Sequence, residues 1–163
     1  MIKLLPLIFV RPGEARHMKW CEIDFEGKEW RYTASKTKTE HLVPLSCQAL
    51  AILEELRPLT GASEWVFPGR TSGKPLSDGT INKAYTSLGI DTKNQLTGHG
   101  WRSIARTQLH ERLKFDPVII EHQLGHKVAD ALGTAYNRTR FLDDRIVMMQ
   151  AWADYLDRLK AGQ

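Results

Sequence analysis

Cysteine is nearly absent from this chain: Cys21 and Cys47 are the two among 163 residues, far apart and at no zinc or redox spacing. That argues against a disulfide framework and for two reduced thiols in a cytoplasmic protein. Long apolar runs are missing too. The longest, Leu4 to Val10, is seven residues and contains Pro6. A bilayer span needs roughly 18–20, and Met1 to Lys3 is too short a lead for a signal peptide, so no membrane partner is expected. Internal repeats, low-complexity tracts and a Gly-rich P-loop are absent. Neither sign of charge dominates: Lys plus Arg is 23 and Asp plus Glu is 19, a net +4. This permits a nucleic-acid partner without demanding one.

What is present is an ordinary globular composition, 42% hydrophobic and 26% charged. The length fits one domain, residues 1–163. The pattern predicts a mainly α protein with a small antiparallel β-sheet (α+β). Leu4 to Phe9 reads as the end of a buried helix, which suggests a piece of a longer chain. Pro12 opens a short helix to about Trp20. Glu29 to Thr33 and His41 to Leu45 read as strands around the polar turn Ser35 to Glu40. Ser46 caps a helix through about Leu56, and Ser77-Asp78 caps one carrying Ile81, Ala84, Tyr85 and Leu88. A helix from Thr97 to about Leu113 has Trp101, Ile104, Leu109 and Leu113 as its expected core face. Asp116-Pro117 opens another, with Val118, Ile119, Ile120 and Leu124, ended by Gly125. A short segment holds Tyr136. The last helix, from about Phe141, places Leu142, Ile146, Met149, Ala153 and Leu156 at helical spacing.

Three stretches carry chemistry. Arg11-Pro12-Gly13-Glu14 is a helix start with an arginine at its lip. His99-Gly100-Trp101-Arg102 places an imidazole and a guanidinium three residues apart, on one helix face. Leu124-Gly125-His126 exposes a histidine after a helix-ending glycine, and Tyr136 follows ten residues later. His122 and His126 have the spacing of a zinc helix, but Gly125 interrupts it and no Glu or Cys completes a ligand set, so no metal is assigned.

In this order the stretches resemble the catalytic domain of the tyrosine recombinases, or phage integrases, in the manner of prophage and genomic-island integrases. The resemblance runs from about Leu4 to the end. It implies a site-specific recombinase that cleaves and rejoins DNA through a 3′-phosphotyrosyl intermediate, without metal or other cofactor. Its nucleophile would be Tyr136, with Arg11 and Arg102 on the non-bridging phosphate oxygens. His99 would accept the tyrosine proton or hydrogen-bond the phosphate. His126 would donate a hydrogen bond to the phosphate. Lys36, on the hairpin, would protonate the departing 5′-oxygen, with Lys38 as its competitor, and Glu14 would orient neighbouring basic groups.

Lys38, Arg106, Lys127 and Arg138 are the expected contacts to the DNA backbone. Implied partners are double-stranded DNA at attachment sites and further copies of the chain in a tetrameric synapse. Accessory DNA-bending proteins and a cytoplasmic, nucleoid-associated location complete the expectation. The final helix either packs on its own domain or docks on a neighbouring subunit. Family members carry an N-terminal DNA-binding domain that this chain is expected to lack. A type IB topoisomerase-like strand transferase and an inactive DNA-binding remnant are the alternatives.

Overall fold

The computed structural model describes residues 1–126 and 141–162. Its helices are α1 (Leu5–Ile8), α2 (Pro12–Arg16), α3 (Cys47–Thr60), α4 (Thr80–Ser87), α5 (Gly100–Glu111), α6 (Pro117–Gln123) and α7 (Leu142–Lys160). Three strands, β1 (Ile23–Asp24), β2 (Glu29–Thr33) and β3 (Glu40–Pro44), form one antiparallel sheet in the order β1-β2-β3. Mainly α with a small antiparallel sheet is therefore the observed class.

The sheet follows from alternation. Trp30 and Tyr32 are buried while Arg31 and Thr33 are exposed, as a period of two requires. Trp30 pairs with Val43 and Tyr32 with His41, and the two aromatic rings stack at 4.1 Å. Helix α1 is short but wholly committed to the core. Leu5 and Ile8 are fully buried, and the Pro6 carbonyl accepts the Trp152 indole N–H at 2.9 Å. Trp152 also meets Phe9 edge-on at 6.2 Å. The final helix therefore packs on its own domain.

Several boundaries differ from expectation for local reasons. Helix α2 stops at Arg16 rather than near Trp20, because Met18 drops into the core and Lys19 bridges to Trp65. Helix α3 runs through Pro58 to Thr60. Pro58 and Glu54 are both exposed there, so water can serve the carbonyl that proline leaves unpaired. Helix α4 begins after Gly79, not at Ser77-Asp78. Ser77 shares a hydroxyl hydrogen bond with Thr80, and Asp78 lies 3.6 Å from Arg16.

Ile104, expected on the core face of its helix, and Ile146, at helical spacing in the last one, are 38% and 49% exposed. In α5 and α7 the reason is the same: the buried stripe begins with an arginine. Helix α5 buries Arg102, Ala105 and Leu109. Helix α7 buries Arg145, Met148, Met149, Trp152 and Ala153. A stripe in that register turns Ile104 and Ile146 outward.

The Arg145 guanidinium donates from Nε and Nη2 to Gln123 Oε1, at 3.0 and 2.7 Å, and from Nη2 to the Leu42 carbonyl. The Gln123 carbonyl in turn accepts His41 Nε2–H at 3.1 Å. Sheet, α6 and α7 thus meet on one glutamine. Withdrawal of the His41 ring from water, and then the Arg145 charge, push its pKa down to about 3. The folded chain keeps this imidazole neutral where an unfolded chain would protonate it. Stability should therefore fall as pH drops below about 6.5 and flatten near the folded value, with a slope of up to about 1.4 kcal/mol per pH unit from this residue. Urea unfolding from pH 7.5 to 3.5 checks this, and His41→Gln should remove that component of the slope.

Candidate active site

Arg11 sits at the N-terminal lip of α2, with extended backbone (φ −62°, ψ 136°) and Pro12 taking the first helical position. It borders a cleft of about 480 Å³ whose lining includes Glu14, Ser35, Asn82, Thr97 and His99. Glu14 is buried. Its Oε1 accepts the Ser35 N–H at 3.1 Å and the Ser35 hydroxyl at 2.9 Å. That pair ties the root of the β2–β3 hairpin to the helix carrying Arg11. Lys36 follows the anchored serine and is exposed. Lys38, also exposed, takes a left-handed conformation (φ 55°) and closes the turn through its N–H to the Ala34 carbonyl at 2.8 Å.

The opposite wall begins at Gly98. A Cβ there would lie 3.1 Å from Ile81 and 3.3 Å from Pro12, so glycine permits the close approach of the α5 start to α2. This sets His99 beside Arg11. The Thr97 hydroxyl accepts the Gly100 N–H at 3.1 Å and secures the first turn. The His99 pKa is lowered, first by partial burial and then by the charges of Arg102 and Arg11. A neutral imidazole results near pH 7, able to accept a proton.

Arg102, one turn further, is buried to 6% exposure. Its Nη1 donates to the Phe9 carbonyl at 3.2 Å and its Nη2 to the Leu124 carbonyl at 2.8 Å. Phe9 holds a left-handed conformation (φ 32°, ψ 37°) at the end of α1. Such backbone is rare for a bulky residue. Here it aims a carbonyl at a guanidinium. Burial, then Arg11, lower the Arg102 pKa to about 10, which leaves it charged at neutral pH.

Gly125 ends α6 with φ 64°. Its N–H reaches the His122 carbonyl and the His126 N–H reaches Glu121, both at 3.1 Å. This pair of bonds is the Schellman turn. It folds His126 back over the helix. His126 Nε2 lies 3.2 Å from Arg102 Nη2, and Nδ1 lies 2.5 Å from Glu121 Oε2. Arg106 Nε contacts the other Glu121 oxygen at 2.5 Å.

The structure thus brings Arg11, Glu14 and His99 to one cleft, with the hairpin of Lys36 and Lys38 rooted at its edge, and joins Arg102 to His126. Arg106, expected on DNA, is engaged by Glu121 within the protein. Tyr136, Lys127 and Arg138 lie outside the described residues. Sequence reasoning passed over His41, Glu121 and Arg145. Glu121 alone had a usable signal, since a helix-ending Gly125 turns the next residue back over the preceding turn.

The phage integrase family model matches residues 1–142. The integrase of Enterobacteria phage P4 is 40% identical over 172 residues, covering 96% of this chain and 39% of that protein. Prophage integrase IntA of Escherichia coli K12 is 42% identical over 159 residues, covering 96% of this chain and 38% of its own length. Among solved structures, XerA recombinase superposes with a TM-score of 0.64 at 19% identity, over 77% of this chain and 46% of that one. A lambda integrase dimer bound to a COC′ core site gives 0.59 at 24% identity, over 82% and 50%. These two likenesses establish the fold. The chain belongs to the phage integrase family. It spans about two fifths of the length of the phage P4 and IntA relatives.

The charges around His99 give a direct check. Its NMR titration midpoint should lie below the usual histidine value of about 6.5. Arg11→Gln removes a cation that disfavours the imidazolium, so the midpoint should move upward while burial and Arg102 keep it from full recovery.

Proposed function

We propose that this chain is the catalytic domain of a site-specific DNA recombinase that integrates or excises a prophage or genomic island, as part of a longer protein. The observation that carries the reading is Arg11 and His99 at one cleft, with buried Arg102 near enough for its charge to act on His99 and hydrogen-bonded to His126. Family membership supports it, as do relatives that are themselves named integrases.

The proposed reaction is a transesterification. The Tyr136 hydroxyl attacks a backbone phosphodiester, forming a 3′-phosphotyrosyl bond and releasing a 5′-hydroxyl; attack by a 5′-hydroxyl reverses it. The bond energy is kept in the covalent intermediate, so no nucleotide cofactor is needed. Charge grows on the non-bridging oxygens in the transition state, and cations fixed there beforehand stabilise it differentially. Arg11 fills that role with a planar fork of donors, and Arg102 with its charge and the N–H groups that Phe9, Leu124 and His126 leave free. His99 takes the tyrosine proton or bonds the phosphate. Lys36, or Lys38 beside it, protonates the leaving 5′-oxygen. DNA is the partner, and assembly of several copies on paired sites, up to a tetramer with DNA-bending accessory proteins, completes the reading. The solved XerH complex with its difH substrate and the lambda integrase dimer on its core site support DNA-bound assembly.

Covalent trapping tests the proposal. Labelled duplexes spanning the element's junctions, nicked so that cleavage cannot reverse, should yield a protein–DNA adduct that survives denaturation. Tyr136→Phe should abolish it. Arg102→Lys should reduce the cleavage rate about 100-fold or more, because a point charge cannot replace the fork. Relaxation of supercoiled DNA without paired sites would instead favour the topoisomerase reading. Absence of adduct on verified junction DNA, from this chain and from its full-length parent, would favour the inactive remnant.

A further inference from the structure

The geometry points to Glu121 as a positioning residue that fixes the tautomer and orientation of His126, and through it the fork of Arg102. The significance for catalysis rests on the proposed reaction; the proton assignment does not. A carboxylate only accepts hydrogen bonds and a guanidinium only donates them. His126 stands between one of each, with Nδ1 at 2.5 Å from Glu121 Oε2 and Nε2 at 3.2 Å from Arg102 Nη2. One neutral tautomer satisfies both contacts: the proton on Nδ1, the lone pair on Nε2. The other would set a lone pair against a carboxylate and two donors against each other.

Glu121 is itself held. Arg106 Nε occupies Oε1 at 2.5 Å, which stops the carboxylate from rotating away. Partial burial raises the Glu121 pKa, but the bonds from Arg106 and His126 outweigh it and hold the group below the usual carboxylate range. The carboxylate is therefore ionised at neutral pH. The Gly125 turn completes the device, since it returns His126 over the residue five positions earlier. Arg106 thereby helps to hold Glu121 in place.

Two consequences follow for the proposed site. Nδ1–H is committed to Glu121, so the neutral ring has no N–H left for a phosphate, and the hydrogen bond expected of His126 requires a proton gained on Nε2, the edge facing Arg102. Arg102 gains a third acceptor beside the Phe9 and Leu124 carbonyls, which fixes the plane of its guanidinium without neutralising it.

The test uses the ¹⁵N-labelled chain at pH 7.5, with long-range ¹H–¹⁵N correlations of the His126 ring. The expected pattern is a protonated Nδ1 and an unprotonated Nε2. Glu121→Ala should shift the ring toward the Nε2–H form with the amide spectrum otherwise preserved. Glu121→Gln, whose amide oxygen still accepts, should keep the Nδ1–H form. On nicked duplexes Glu121→Ala should slow cleavage roughly 10–100-fold, and Glu121→Gln should recover most of that rate. Added to His126→Ala, the same Glu121→Ala change should have no further effect. A wild-type ring protonated on Nε2, or an undiminished effect of Glu121→Ala in the His126→Ala background, would overturn the assignment. An Nδ1–H ring in a chain that forms no adduct would uphold the assignment and overturn the proposed reaction instead.

Discussion

The structure is organised around a buried cation that has no carboxylate. Arg102 is 6% exposed and, among the described residues, makes no ion pair. A desolvated guanidinium is costly unless its donors are met. Here they are met by the carbonyls of Phe9 and Leu124 and by His126 Nε2. Both carbonyls stand at helix C-termini, where the backbone dipoles leave partial negative charge and unpaired acceptors. Helix α1 is capped by Phe9 in left-handed backbone and α6 by Leu124, each with a carbonyl that Arg102 uses. Extending either helix would commit a carbonyl that the guanidinium needs.

The same demand explains the turn after α6. Gln123 is held through its side chain by Arg145 from α7 and through its carbonyl by His41 from β3. Leu124 is held by Arg102 from α5. Gly125 then supplies the positive φ that brings His126 back. A Cβ at Gly125 would only touch the His41 ring, at 3.4 Å, so it is the positive φ that calls for glycine there. Three elements thus fix consecutive residues of one turn. His126 is precise because its neighbours in sequence are pinned, although its own ring is 44% exposed.

Much of this was legible in the residues. The hairpin alternation of Trp30 and Tyr32, the proline-led starts of α2 and α6 and the glycine stop at Gly125 are local signals, and each sits where its chemistry requires. The ordered motifs around Arg11, His99, Arg102 and His126 likewise marked residues that the fold brings close. The illegible part is the polar interior. An arginine at a core-facing helix position looks like a solvated charge, so the buried stripes beginning at Arg102 and Arg145 were misregistered and Ile104 and Ile146 were assigned inward. His41 reads as a strand residue, because nothing local announces that Gln123, 82 positions away, will accept its proton. Arg106 likewise meets Glu121, a partner on another helix that no local signal announces.

The cleft also has a charge balance that pairwise contacts conceal. Glu14 borders it, yet its carboxylate is turned to the Ser35 N–H and hydroxyl and leaves Arg11 without an ion pair among the described residues. Glu121 is likewise spent on Arg106 and His126 rather than on Arg102. The acidic groups nearest the site therefore organise its framework and do not neutralise its arginines. The fold bears the resulting repulsion, visible in the Arg102 pKa drawn down to about 10 by burial and by Arg11. An anion at the cleft would meet Arg11 with no carboxylate paired to it among the described residues. Donors held in place by carbonyls and a turn need little reorganisation when they meet charge, a property that a basic surface of mobile side chains lacks.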